Sequence, residues 1–413
     1  MIQAGGLGKK YSRGLQADVS LRPVSGVDAG RVPELDGLRG LAIGMVLVFH
    51  YFWLTVQARP ASLLAYAMVP FRLTWSGVDL FFVLSGFLIG GILLDARTST
   101  NYFQIFYTRR FFRIVPIYAA VLLLFPALAY IAHHAQHDGL VVERLPWYFY
   151  WTFTQNLWMA RTASLGAGML AVTWSLAVEE QFYITLPLIV RFVSGRRLLA
   201  CVMAGIGLAP LTRIAIRLIW PHNSYAAFVL MPCRADALLL GVLGAMLIRN
   251  NVWKARIQRN NLFFAISVPI FLLGIAFLNL KSPALRSPLM QTFGYTWLAL
   301  FYLSVLLFTV TRPQTAICRA LRFRWLRWLG GIAYGTYLLH QFIQRILFGY
   351  FWGHEPRITG GYTFLTALSA LAVTLAISQL SWRYFENHLI RFGRRSSYTF
   401  AESSSKAMPQ SAT

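Results

Sequence analysis

Residues 34–50 read Glu-Leu-Asp-Gly-Leu-Arg-Gly-Leu-Ala-Ile-Gly-Met-Val-Leu-Val-Phe-His, with Arg39 near one end and His50 at the other. Between those two ionisable residues every side chain is apolar or glycine, which suits a helix crossing lipid. A soluble amphipathic helix instead repeats polar residues every third or fourth position. The rest of the chain agrees. Of 413 residues 57% are hydrophobic and 13% charged, against about 45–50% and about 25% in soluble domains. The fold class expected is all-α: a polytopic membrane protein.

A helix needs about 20 apolar residues to cross about 30 Å of hydrocarbon. Runs of that length predict ten spans, at 36–56, 74–94, 112–132, 173–192, 199–219, 231–248, 262–280, 291–311, 329–350 and 362–381. An even number places both termini on one side. The formal net charge of +24 raises the question of a nucleic-acid partner, but the lysines and arginines are not gathered in one patch. With the N-terminus inside, the cytoplasmic segments carry 25 and the outside loops 7, the positive-inside pattern. Both termini are therefore expected in the cytoplasm, and nucleic acid is not needed to explain the charge. Residues 1–32 are polar and basic without an apolar signal core and are expected to form a disordered cytoplasmic tail. Residues 33–390 form the membrane domain, and 391–413 a polar cytoplasmic tail.

Three cysteines, Cys201, Cys233 and Cys318, lie too far apart for a zinc or redox motif and read as structural thiols. His133 and His137 have the i, i+4 spacing of a metal pair, but no further ligands complete a set. No metal is expected.

Ionisable residues inside a span cost about 2.5–3.5 kcal/mol on insertion scales, so each asks for a reason. By the helical rise, His50 lies about 21 Å from the inner boundary and Glu179, in the span beginning Thr173-Trp174-Ser175, about 9 Å from the outer one. In a core about 30 Å thick these depths coincide, which predicts an imidazole and a carboxylate in one buried pocket. Glu180 lies about 100° around the helix from Glu179, so one of the two meets the His and the other an Arg or water. Asp79, Arg234 and Asp236 fall in the same half, and His340 lies about 16 Å from the inner side by the same arithmetic. Helix-to-helix pairing, as Asp–Arg locks, explains Arg234 and Asp236 equally well. At the inner edge Arg109, Arg110 and Arg113 precede Pro116, with Arg39 at similar depth. Such arginines ordinarily fix orientation, and they also grip phosphates bidentately.

Six stretches together resemble the type 3 acyltransferases, integral membrane enzymes that O-acylate glycans and related acceptors. They are the Arg39-to-His50 element, GVDLFFVLSGFLIGG at 77–91, RRFFRIVP at 109–116, TWSLAVEEQFYITLP at 173–187, RADALLLG at 234–241 and GIAYGTYLLH at 331–340. The resemblance covers residues 33–390. It implies a ten-helix protein of the bacterial cytoplasmic (inner) membrane that moves an acyl group, commonly acetyl, from cytoplasmic acyl-CoA to a glycan or glycolipid hydroxyl. Acyl-CoA is then a co-substrate. Carried over by motif, His50 and Arg39 are the essential pair and Glu179 the principal acid, with Glu180 beside it. Arg39, Arg109, Arg110 and Arg113 contact the donor, and Asp79, Tyr183, Arg234, Asp236, Tyr337 and His340 are candidate substrate contacts. Relatives acting on cell-wall sugars often carry an added extracytoplasmic hydrolase-like domain. Only about 25 residues follow position 388, and such a domain is not expected here.

The expected chemistry has His50 as general base with Glu179 orienting it. CoA phosphates held at the inner arginines leave a pantetheine arm comparable in length with the rise of about 17 Å from Arg39 to His50. Direct transfer and a covalent acyl-enzyme both remain open at this stage. The rival class is a proton-coupled transporter or a lipid or glycan flippase. The absence of a clear internal repeat and the gathering of ionisable residues at one level speak against it.

Overall fold

The computed structural model describes residues 32–59, 61–134, 146–282 and 284–400. Among the described residues, ten helices overlie the stretches expected to span. They are α1 Pro33–Val48, α2 Gly77–Asp95, α3 Tyr102–His134, α4 Thr173–Phe192, α5 Gly195–Ile219, α6 Met231–Arg249, α7 Asn261–Lys281, α8 Tyr295–Thr311, α9 Ala333–Trp352 and α10 Gly361–Ser381. Among the described residues there is no strand, only an isolated bridge between Val56 and Ile358. Seven helical stretches are long and apolar enough to cross a membrane, with mean hydropathies of 1.3 to 2.3. The stretches not among the seven are α3, α4 and α9, which carry Arg110, Glu179 and His340, considered below. The chain is an all-α, multi-pass membrane protein.

The apolar surface is divided between neighbours and lipid in a regular way. Along α7 only 11% of the most apolar stretch is buried, and along α5 17%, against 78% in the stretch that contains α2. Helices α5 and α7 thus form the periphery, turning Leu208, Leu211, Leu273 and Phe277 outward, while α2 is central. The centre is held by close backbone approach. A Cβ on Gly86 of α2 would come within 1.8 Å of the Leu238 carbonyl oxygen on α6, and one on Gly241 within 2.2 Å of the Val83 carbonyl oxygen. Only glycine permits that contact, the small-residue packing that drives helix association in lipid.

Two boundaries differ from expectation. Helix α3 begins at Tyr102, ten residues before the predicted span, so Arg109 and Arg110 stand on the same helix as Arg113 and not in a loop. Helix formation there is driven by packing of Tyr102, Ile105 and Phe106, all buried, which a hydropathy window does not register. Beyond α10 the helix continues through a π turn, Trp382–Glu386, into Asn387–Gly393, and residues after 390 remain packed. Thr100 donates to the Thr399 carbonyl at 2.8 Å, and Tyr398 is buried. The expected tail before residue 32, the chain after residue 400, the side chains of His133 and His134, and His137 lie outside the described residues.

Candidate active site

Helix α1 passes at its outer end into a π turn, Phe49–Trp53, which contains His50. A π turn widens the helix by one residue per turn and is a frequent mark of functional sites. The His50 ring is clasped by α9. Its Nδ1 lies 2.9 Å from the Val46 carbonyl oxygen and 3.3 Å from His340 Nε2, and Gln344 donates to the His50 carbonyl at 3.2 Å. His340 Nδ1 in turn lies 2.7 Å from the Tyr337 carbonyl oxygen. Carbonyl oxygens only accept, so in the neutral rings both Nδ1 atoms carry the hydrogen. That leaves His340 Nε2 as acceptor for His50 and frees the lone pair on His50 Nε2. Tyr51 completes the clasp, donating to the His340 carbonyl at 3.0 Å and bonding Thr374 on α10 at 2.8 Å.

His50 and Tyr337 line a cavity of about 1020 Å³, at the upper end of the roughly 300–1,000 Å³ typical of small-molecule sites. Its walls come from the outer ends of the helices and from all five loops expected outside, represented by Arg72, Leu165, Tyr225, Arg286 and Glu355. The Tyr337 hydroxyl donates to the Val172 carbonyl at 3.1 Å and bonds Ser175 at 2.6 Å. Its hydrogen is engaged by that carbonyl, and the side chain forms part of the wall.

A second polar cluster lies at the inner end. Arg39 on α1 is within electrostatic reach of Arg110 and Arg113 on α3 and lies 3.8 Å from Asp36. Glu179 on α4 faces this group. Its carboxyl bonds Ser85 on α2, and its charged neighbours are Arg113, Arg110 and Arg39. Tyr183, one turn further on, meets Ser85 at 2.5 Å, and Glu180 lies beside Arg110. The expected pairing of Glu179 with His50 is therefore not formed. Ser175, four residues before Glu179, is the residue of α4 at the level of Tyr337, so the carboxylate stands one turn, about 5–6 Å, further inward. Depth counted along a helix carries that much error, and the arginines supply the attraction. The partner of His50 is His340.

Arg109 donates to the Ser396 carbonyl at 2.9 Å and lies 5.2 Å over the Tyr398 ring, away from Arg39. It anchors the C-terminal segment.

The buried Arg234 and Asp236 each form an Asp–Arg pair between helices. Arg234 bonds Asp79 on α2 at 2.5 Å, and Asp236 bonds Arg213 on α5 at 2.9 Å and Thr296 on α8 at 2.6 Å. All four ionic side chains are at most 1% exposed. Asp79 and Asp236 thus join helices, and of the three expected substrate contacts here only Arg234 reaches the cavity wall. Arg213 escaped the sequence reading, although an arginine well inside an apolar run was itself the signal. Arg345 on α9, which lines the cavity, escaped it for the same reason. Among the described residues no three His, Cys, Asp or Glu side chains converge as a metal set requires.

A membrane bundle with a histidine-floored chamber at one end and an arginine cluster at the other accords with the acyltransferases that the motifs resemble. Residues 32–383 match the family model described as "Acyltransferase domain", and the chain belongs to that family. It is 26% identical over 382 residues to the peptidoglycan O-acetyltransferase OatA of Listeria monocytogenes, covering 88% of this chain and 56% of that protein. It is 24% identical over 383 residues to the O-acetyltransferase OatA of Staphylococcus aureus, covering 88% and 58%. A putative acetyltransferase, ORF330 of Acidianus two-tailed virus, is 26% identical over 320 residues, covering 76% and 84%. The chain thus spans little more than half the length of the two O-acetyltransferases named OatA. No solved structure matches it.

Proposed function

We propose that the protein is a membrane O-acetyltransferase that moves an acyl group from cytoplasmic acyl-CoA to a glycan hydroxyl presented in the outer cavity, with His50 as general base. The observation that carries this reading is the hydrogen-bond arrangement at His50. Two main-chain carbonyls set the tautomers of His50 and His340 and leave His50 Nε2 unprotonated in a residue that lines the cavity. The O-acetyltransferase relatives supply the reaction type.

In this reading the adenosine and phosphates of the donor stay at Arg39, Arg110 and Arg113, where guanidiniums bind phosphate bidentately. The arm follows α1 outward, and the rise of about 17 Å from Arg39 to His50 matches its reach. The acceptor hydroxyl gives its proton to His50 Nε2 while its oxygen forms a bond to the thioester carbonyl carbon. The tetrahedral intermediate collapses, the carbon–sulfur bond breaks, and the departing thiolate takes the proton back from the imidazolium. Ester and free CoA thiol are the products, and His50 returns neutral. His340, accepting from His50 Nδ1, positions the ring and stabilises the imidazolium, a role a carboxylate fills in hydrolase triads. Glu179 and Glu180 balance the arginines and set the mouth that the donor passes.

The protein in lipid nanodiscs, supplied with radiolabelled acetyl-CoA and glycan, tests this. Label becomes ester-linked in the wild type and not in His50→Ala. Wild-type-like transfer by His50→Ala removes His50 as the base, and movement of unmodified solute into sealed vesicles carrying the protein, without ester formation, favours the transporter class.

A further inference from the structure

The cavity wall is cationic on the side of the membrane where this chain otherwise carries few positive charges. Four arginines line it, Arg72, Arg234, Arg286 and Arg345. Two are matched by carboxylates, Arg234 by Asp79 at 2.5 Å and Arg345 by Glu355 at 2.6 Å. Arg72 and Arg286 have no ion pair among the described residues. Each is instead held over an aromatic ring, Arg286 at 3.6 Å from the Tyr225 centroid and Arg72 at 5.6 Å from that of Trp53. Stacking fixes a guanidinium while leaving its in-plane N–H groups for a ligand.

Arg286 Nη1, Arg234 Nε and Nη1, and Trp75 Nε1, on residues of the same wall, are buried without a hydrogen-bond partner, as is the Gln341 amide oxygen. Buried donors are ordinarily satisfied, but these atoms are closed off from the chamber, so the capacity of the wall for an anion rests on the stacked guanidiniums of Arg72 and Arg286. Positive residues are disfavoured in outside loops, so Arg72 and Arg286 have no topological reason to be there.

We propose, resting on the reading of this cavity as the acceptor site, that it selects an acidic saccharide. A carboxylate or phosphate on the sugar lies between Arg72 and Arg286, and the hydroxyl to be acylated reaches His50. The walls favour a saccharide over an anionic lipid, because the aromatic faces of Trp53, Trp75, Trp174 and Tyr225 stand beside the hydroxyls of Ser164 and Ser287, and a sugar ring stacks on such faces while its hydroxyls find polar partners.

The test uses the full chain in phosphatidylcholine nanodiscs without acyl donor, with tryptophan emission as the readout, since Trp53, Trp75 and Trp174 line the cavity. Trigalacturonate is compared with its carboxyl-reduced, neutral counterpart. The acid is expected to bind at least about tenfold more tightly, as a charge-assisted hydrogen bond implies. In the double variant Arg72→Gln, Arg286→Gln that advantage falls to about twofold or less. Equal binding of the two sugars, binding of neither, or an advantage that survives the double variant overturns the proposal. So does loss of sugar binding in phosphatidylglycerol nanodiscs that the double variant relieves, which assigns the arginines to a lipid headgroup. Adding acetyl-CoA separates this inference from the reading beneath it. Selective binding without transfer keeps the acidic site and refutes the transferase reading, whereas transfer without acid preference does the reverse.

Discussion

Replacing His340 by Ala isolates the interaction that the structure puts in place of the expected carboxylate. His340 Nε2 lies 3.3 Å from His50 Nδ1, and the two rings have centroids 4.8 Å apart. In the ground state this contact is a weak hydrogen bond between neutral rings. Once His50 holds the acceptor's proton the same contact becomes charge-assisted, so its strength rises along the reaction and counts toward kcat. Hydrogen bonds to charged groups are worth about 1.5–3 kcal/mol. A separation just beyond the usual 2.7–3.2 Å range puts this one at the lower end. About 1.5 kcal/mol corresponds to roughly a tenfold fall in kcat. The Val46 carbonyl at 2.9 Å still fixes the His50 tautomer, so KM for the acceptor should change little and catalysis should survive. His340→Gln, which offers an amide oxygen in place of Nε2, should recover part of the loss. The assay is steady-state transfer from radiolabelled acetyl-CoA in nanodiscs, with thermal unfolding confirming that each variant is folded. A loss as complete as that of His50→Ala, no loss, or a loss confined to KM would refute the reasoning.

Arg213→Met leaves the buried Asp236 carboxylate with only the Thr296 hydroxyl and the Ala237 N–H, and should cost about 3–5 kcal/mol, seen as a lower unfolding temperature in detergent. Adding Asp236→Leu should restore much of it. Gly86→Ala places a methyl 1.8 Å from the Leu238 carbonyl oxygen and should destabilise by at least about 1–3 kcal/mol, whereas Gly207→Ala, with open space around it, should not. Arg110→Ala should raise KM for acetyl-CoA with little change in KM for the glycan. Arg109→Ala should instead loosen the segment around Tyr398, measured as faster proteolysis there, with a smaller effect on the donor.

The limits of sequence reading fall at particular residues. The positions of the long helices were legible because hydropathy is summed along the chain and the bilayer sets the required length. The early start of α3 was not, because Tyr102, Ile105 and Phe106 are drawn into a helix by tertiary packing. The importance of His50, Glu179, Arg234 and Asp236 was visible from the cost of placing such groups in lipid. Their partners were not visible. Depth is one coordinate, and pairing depends also on which way a side chain points and which helix stands opposite. Arg234 turned to Asp79 because Gly86 and Gly241 bring α2 against α6, and Asp236 turned to Arg213 on α5.

The sequence by itself determined that this chain is a helical membrane protein, where its helices lie, and which motifs mark it as an acyltransferase. Each of these depends on local composition and order alone. Only the tertiary structure decided that His50 meets His340, that Glu179 belongs to the arginine mouth, and that Arg72, Arg286 and Arg345 from three separate segments share one cavity. Those meetings join residues up to 290 positions apart, and they follow from how the helices pack.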